Sequence, residues 1–155
     1  MKTLEKLTVK DVYQLDEETP VILKRADDFS QVIKNFANHA DLRGIFVVDD
    51  DNHFEGVITR TDLLDWAGVK FGRIFQKPVT EMDKTLRLIT LIRASIVGDI
   101  IRPETKNAFV RQDDTLDHAL RIMVDTDLII LPVVDESQYV IGRLRLSELL
   151  NLALT

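Results

Sequence analysis

Laid on itself at an offset of 86, the sequence matches without a gap. Residues 25–67 fall on 111–153, with identities at 12 of 43 positions. Among the identical pairs are Asp28 and Asp114, Val47-Val48-Asp49 and Val133-Val134-Asp135, Gly56 and Gly142, and Leu63-Leu64 and Leu149-Leu150. Upstream, Val9-Lys10-Asp11-Val12 and Val97-Gly98-Asp99-Ile100 match at an offset of 88, so the first copy carries two extra residues. A chain of 155 residues with such a repeat is organised as two copies of one small unit.

Each copy has the same local pattern. Pro20–Lys24 and Asn107–Arg111 read as short strands. Asp28 and Asp114 then stand where a helix N-cap belongs. Phe29, Val32, Ile33, Phe36 and Ala37 follow with the spacing of an amphipathic helix. Leu116, Ala119, Leu120, Met123 and Val124 do the same one position out of phase. The dense apolar runs Gly44–Val48 and Leu128–Val134 suit strands covered on both faces. A polar turn, a further strand beginning near Phe54 or Tyr139, and a last helix bearing Leu63-Leu64 or Leu149-Leu150 complete the unit. The expected fold is therefore α/β of the α+β type, with a β-α-β-β-α unit present twice. Its boundaries are 8–67 for the first repeat and 96–153 for the second.

Residues 68–95 form a connector. Gly68 and Gly72 break the preceding helix and Pro78 marks a turn. Thr80 and Asp83 have the spacing of a capping box before a helix rich in Leu86, Leu88, Ile89, Leu91, Ile92 and Ile96. That helix is expected to pack between the halves, with a dimer surface as the alternative.

Composition narrows the function. Hydrophobic residues make up 45% of the chain, enough for a sizeable core at this length. The net charge of −6 argues against a general nucleic-acid binder, which needs a basic face. No apolar run approaches a membrane span, and the first residues have no signal-peptide pattern. Cysteine is absent, which removes disulfides, thiolate chemistry and cysteine-bound zinc. The expectation is a cytoplasmic protein that engages neither membrane nor nucleic acid.

The stretch Gly56-Val57-Ile58-Thr59-Arg60-Thr61-Asp62-Leu63-Leu64 runs from a strand into a helix. Thr59 and Asp62, three apart, fit a capping box. The same geometry has a second use. Free amides at the helix start form an anion site, and a carboxylate one turn in can accept from both hydroxyls of a ribose.

This duplicated unit, with Val-Val-Asp closing an apolar strand and Gly-apolar-apolar-Thr-x-x-Asp-Leu-Leu after it, resembles a pair of CBS domains, the cystathionine-β-synthase-type repeats that together make a Bateman module. The resemblance spans nearly the whole chain. It implies two repeats packed sheet to sheet as a pseudo-twofold disc with two clefts. It also implies adenosine-type ligands (AMP, ADP, ATP or S-adenosylmethionine), no required cofactor, and commonly a homodimer.

Carried onto this chain, the resemblance places Thr59 on a phosphate, Asp62 on a ribose and Val57 beside the base of the first cleft, with Arg60 as a phosphate partner or a solvated arginine. Asn107, Ala108, Leu128, Ile129 and Ile130 would face them from the second repeat. Some relatives have a basic residue on that strand; the apolar Ile129 and Ile130 argue against a tightly held triphosphate. The second cleft departs from the pattern, with Arg145 where Thr59 stands and Glu148 where Asp62 stands. Arg43 would face it from the first repeat, near Arg143 or Arg145. Two readings follow: a degenerate, empty cleft, or one that holds an anion-rich ligand through Arg43 and Arg145.

No catalytic constellation appears. His39, His53 and His118 are scattered, with the first and last expected on exposed helix positions. Asp49–His53 lacks the glycine and glutamate of a calcium loop and reads as a polar turn. The serines lie in no nucleophile elbow. The expected function is a non-catalytic sensor that binds an adenine nucleotide and alters its own assembly or an effector protein on another chain. The alternative is a ligand-free dimerisation module, and an enzyme is the weakest of the three readings.

Overall fold

The computed structural model describes residues 2–13, 19–72 and 82–154. The first repeat contains β1 (Ile22–Lys24), α3 (Ser30–Asn38), β2 (Gly44–Val48), β3 (Phe54–Thr59) and α4 (Arg60–Lys70), preceded by α1 (Lys2–Lys6) and α2 (Lys10–Tyr13). The connector contributes α5 (Met82–Ile92). Two 3-10 helices, Val97–Ile100 and Pro103–Asn107, lead to α6 (Leu116–Thr126), β4 (Ile130–Val134), β5 (Val140–Arg145) and α7 (Leu146–Leu152). Pro78 and Thr80, and the side chain of Asp83, lie outside the described residues, and with them the expected turn and cap.

In the first repeat β1 pairs parallel with β2 and β2 antiparallel with β3. In the second, β4 pairs antiparallel with β5. A register shift falls between Val47 and Val48 and again between Val133 and Val134, the same place in both copies. All five residues of β2 and of β4 are buried, as expected of strands covered on both faces.

The expected strand Asn107–Arg111 does not form. Asn107 ends a 3-10 helix, and only Val110 bridges to Val133. The cause is on the neighbouring strand. In the first repeat the Phe46 amide donates to the Val21 carbonyl at 3.0 Å. The equivalent residue in the second repeat is Pro132, which has no amide hydrogen to give.

Two further local expectations shift. The cap of α6 is Thr115, whose hydroxyl accepts from the His118 amide, while Asp114 accepts from the Arg111 amide at 2.8 Å. Asp28 accepts the Ser30 amide at 2.8 Å, but the N-cap of α3 is the next residue, Phe29. Gly68 stays inside α4, which ends at Lys70; Gly72, with φ +71°, is the residue that turns the chain.

The two repeats exchange their leading segments. Val9 and Val12 sit in one buried cluster with Leu116, Met123, Leu131 and Leu144 of the second repeat. Val97, Ile100 and Ile101 sit in the other, with Phe29, Val32, Ile45 and Ile58 of the first. Thr8 bridges to Thr115 and Ile96 to Asp28 in the same crossed sense. The sheets meet as well, since Phe46 and Val57 are buried among Ile130 and Leu131. The connector helix α5 touches both the first repeat and the lead-in of the second. It packs on α4 and on the 3-10 helix Val97–Ile100, burying Leu91 with the first-repeat core and leaving Leu86, Ile89 and Ile92 exposed. Among the described residues no helix is long and apolar enough to cross a membrane.

Candidate functional site

At the start of α4 the backbone leaves β3 in extended conformation at Thr59 and enters the helix at Arg60. The Asp62 carboxylate folds back: its Oδ2 accepts the Thr59 amide at 2.9 Å and faces the Thr59 hydroxyl at 3.3 Å. This is the local arrangement the Thr-x-x-Asp spacing calls for. Long-range chemistry then takes over. Arg87 of α5 reaches Asp62 Oδ1 at 3.0 Å, and Arg102 Nε lies 3.2 Å from the same oxygen. The Asp62 side chain is 2% exposed. Burial pushes its carboxyl above the usual carboxylate range, against the opposing pull of the Thr59 amide and of the Arg102 and Arg87 charges.

The segment after Arg102 closes over β3. The Thr105 hydroxyl accepts the Val57 amide at 3.2 Å and donates to the Arg102 carbonyl at 2.8 Å. Gly56 allows the approach, because a Cβ there would stand 2.4 Å from Ile101 Cγ2. Val57, Ala108, Leu128 and Ile130 are brought together in one cluster, but as fully packed core. Asn107 is exposed at the end of its 3-10 helix. Arg60 is engaged elsewhere. Its guanidinium donates to the carbonyls of Leu42 at 2.9 Å, Phe36 at 3.2 Å and His39, and lies over the Phe36 ring. It thus satisfies the carbonyl end of α3, as a cation near a helix C-terminus does.

Among the described residues an open recess lies at the second cleft. A cavity of about 370 Å³ is lined from the first repeat by Asp41 and Arg43 and from the second by Arg143 and Arg145. Ile129, Leu146 and Leu150 give it an apolar wall, and Ser147 a hydroxyl. Ile129, assigned from sequence to the first cleft, belongs here, and it is 47% exposed. Arg145 Nε lies 3.2 Å from Glu148 Oε1, which also accepts the Arg145 amide at 3.2 Å. Glu148 therefore repeats the fold-back of Asp62, one methylene longer.

Sequence reasoning missed Arg87 and Arg102, whose pairing with Asp62 follows no short-range spacing. Arg143, which the repeat offset equates with Val57, lines the recess beside Arg145 as the sequence placed it. The Asp49–His53 segment is a turn: Asp49 accepts the amides of Asp51 and His53, both at 2.9 Å. Asp135 accepts those of Ser137 and Tyr139 in the same way, at 2.9 and 3.0 Å. The second copy builds this turn with serine in place of Asp51, so Asp51 is not needed for the geometry. His39 and His118 are exposed.

Comparison with known proteins gives a consistent picture. The family model for the CBS domain matches residues 8–68 and 97–154. No curated protein matches the chain. Among solved structures, a CBS domain-containing protein from Thermotoga maritima is 25% identical, with a TM-score of 0.71, over 93% of this chain and 92% of that one. CBSX2 in complex with AMP is 24% identical, with a TM-score of 0.70, over 95% and 96%. A CBS domain pair in complex with 5′-methylthioadenosine and S-adenosyl-L-methionine is 18% identical, with a TM-score of 0.63, over 95% of each chain.

Proposed function

The chain belongs to the CBS domain family, and from that premise we propose that it is a regulatory module whose ligand is an adenosine-type nucleotide bound between its two repeats. The observation that carries this reading is the composition of the recess at the second cleft. Arg43, Arg143 and Arg145 stand beside the apolar Ile129, Leu146 and Leu150 in a cavity of about 370 Å³. Guanidiniums suit a phosphate and an apolar wall suits a base, and the volume lies within the range of small-molecule sites. The AMP and S-adenosylmethionine complexes of the related structures support the ligand class.

Because Arg43 comes from one repeat and Arg145 from the other, a ligand that engages both favours one relative arrangement of the repeats. Its differential affinity then shifts the population toward that arrangement. No chemistry on the ligand is part of this reading. As proposed, the module acts in the cytoplasm as a homodimer and passes its state to a separate effector chain.

Thermal unfolding with AMP, ADP, ATP and S-adenosylmethionine tests it. A ligand at 100 times its dissociation constant adds about 2.7 kcal/mol. For a chain of this size that is a rise of roughly 5–11 °C. A rise with one of the four is the expected result. No rise with any of them leaves the ligand-free dimerisation module as the better account.

A further inference from the structure

The Asp62 carboxylate of the first cleft is held by the protein's own groups. Asp62 Oδ2 is taken within its own turn by the Thr59 amide and hydroxyl. Only Oδ1 faces outward, and there Arg87 and Arg102 meet it at 3.0 and 3.2 Å. A vicinal diol needs that oxygen. Arg87 is carried by α5, and Leu91, one turn further on, is buried with the first-repeat core. Arg102 comes from the lead-in of the second repeat. One buried carboxylate thus fastens three segments: the start of α4, the connector helix and the entry to repeat two.

We propose that Arg87 is a built-in competitor for the Asp62 site, a latch that holds α5 against α4 and must leave before a ribose diol can be accepted there. The first cleft is then closed in the resting molecule, and filling it is coupled to release of α5. The coupling is reciprocal, so whatever holds α5 down also keeps the first cleft shut. A carboxylate oxygen has two acceptor lone pairs, so when Arg87 leaves, Arg102 stays on Oδ1 as the countercharge and the freed position accepts the diol. The latch rests on geometry alone; the exclusion of ligand by it rests on the nucleotide reading above.

Amide hydrogen exchange and AMP titration on the full chain test both halves, with Arg87→Met and Asp62→Asn as variants. Exchange across α5 is expected to rise at least about tenfold in each variant, with α6 unchanged as the control for folding. Arg87→Met is expected to take up a second equivalent of AMP where the wild type takes one, and Asp62→Asn is not. Unchanged α5 exchange in both variants overturns the latch. A released α5 with no second equivalent in Arg87→Met overturns the role of Arg87 as competitor. If AMP binds none of the three proteins, the nucleotide reading fails, and α5 exchange still decides the latch.

Discussion

His53 and Tyr139 occupy equivalent positions 86 residues apart, and they pair with each other. Their rings stack with centroids 5.6 Å apart and planes 26° from parallel, beside the Phe54 amide bonded to the Gln138 carbonyl at 2.9 Å. A residue that bridges to its own counterpart lies on the local twofold relating the two copies, so this pair marks the axis of the module.

A coupling energy between the two rings follows. In a double-mutant cycle with His53→Ala and Tyr139→Ala, the interaction term measured by urea denaturation is expected near 0.5–1 kcal/mol, the low end for aromatic pairs because both rings are half exposed. A term of zero would mean that the stack contributes nothing to joining the repeats.

Arg60 is expected to matter for stability and not for ligand. Arg60→Ala removes the donors that serve the carbonyls of Phe36, His39 and Leu42. The expected cost is about 1–3 kcal/mol in chemical denaturation. The affinity for AMP is expected to stay within about twofold, because this guanidinium is taken by the end of α3 and does not line the recess. A selective loss of affinity would return Arg60 to the site.

The exchanged lead-in segments depend on two glycines. A Cβ at Gly56 would stand 2.4 Å from Ile101 Cγ2, and one at Gly142 would stand 2.7 Å from the Tyr13 ring. Gly56→Ala and Gly142→Ala are each expected to destabilise by about 1–3 kcal/mol through overpacking. Adding Tyr13→Ala to Gly142→Ala is expected to recover part of that loss, which thermal unfolding reads directly.

Titration of Asp62 gives a pH test with a defined sign. Burial raises its carboxyl in the folded state, so between the unfolded and folded values the native chain binds more protons. Stability from this group therefore falls as pH rises through that window. Asp28, held down by Ser30, and Asp99, held down by the Ser95 and Ile96 amides, act the other way, losing stability as pH falls. Asp62→Asn leaves those two in place. The stability of the wild type relative to this variant is thus expected to decline from about pH 4 toward neutrality. A relative gain over the same range would contradict the raised carboxyl.

Much of the fold was legible because it depends on short-range pattern. The repeat offset, the buried runs at Gly44–Val48 and Ile130–Val134, and the Thr59–Asp62 helix start are all local signals. What failed required a neighbour. The strand at Asn107–Arg111 is lost to the missing donor of Pro132, and Arg60 is claimed by the end of α3. The site was legible at Asp62, Arg43 and Arg145 as residues and not as an arrangement. How Asp62 is held depends on Arg87 and Arg102 crossing to it, contacts separated by 25 residues and more.

Calorimetric titration of AMP into the wild type, Arg43→Ala and Arg145→Ala tests the central claim most directly, since the two arginines enter the recess from different repeats. Saturable binding by the wild type, weakened at least about tenfold by each substitution, is the expected result for a phosphate held by charge-assisted bonds from both sides. Binding that is indifferent to both arginines, or no binding at all, would contradict it.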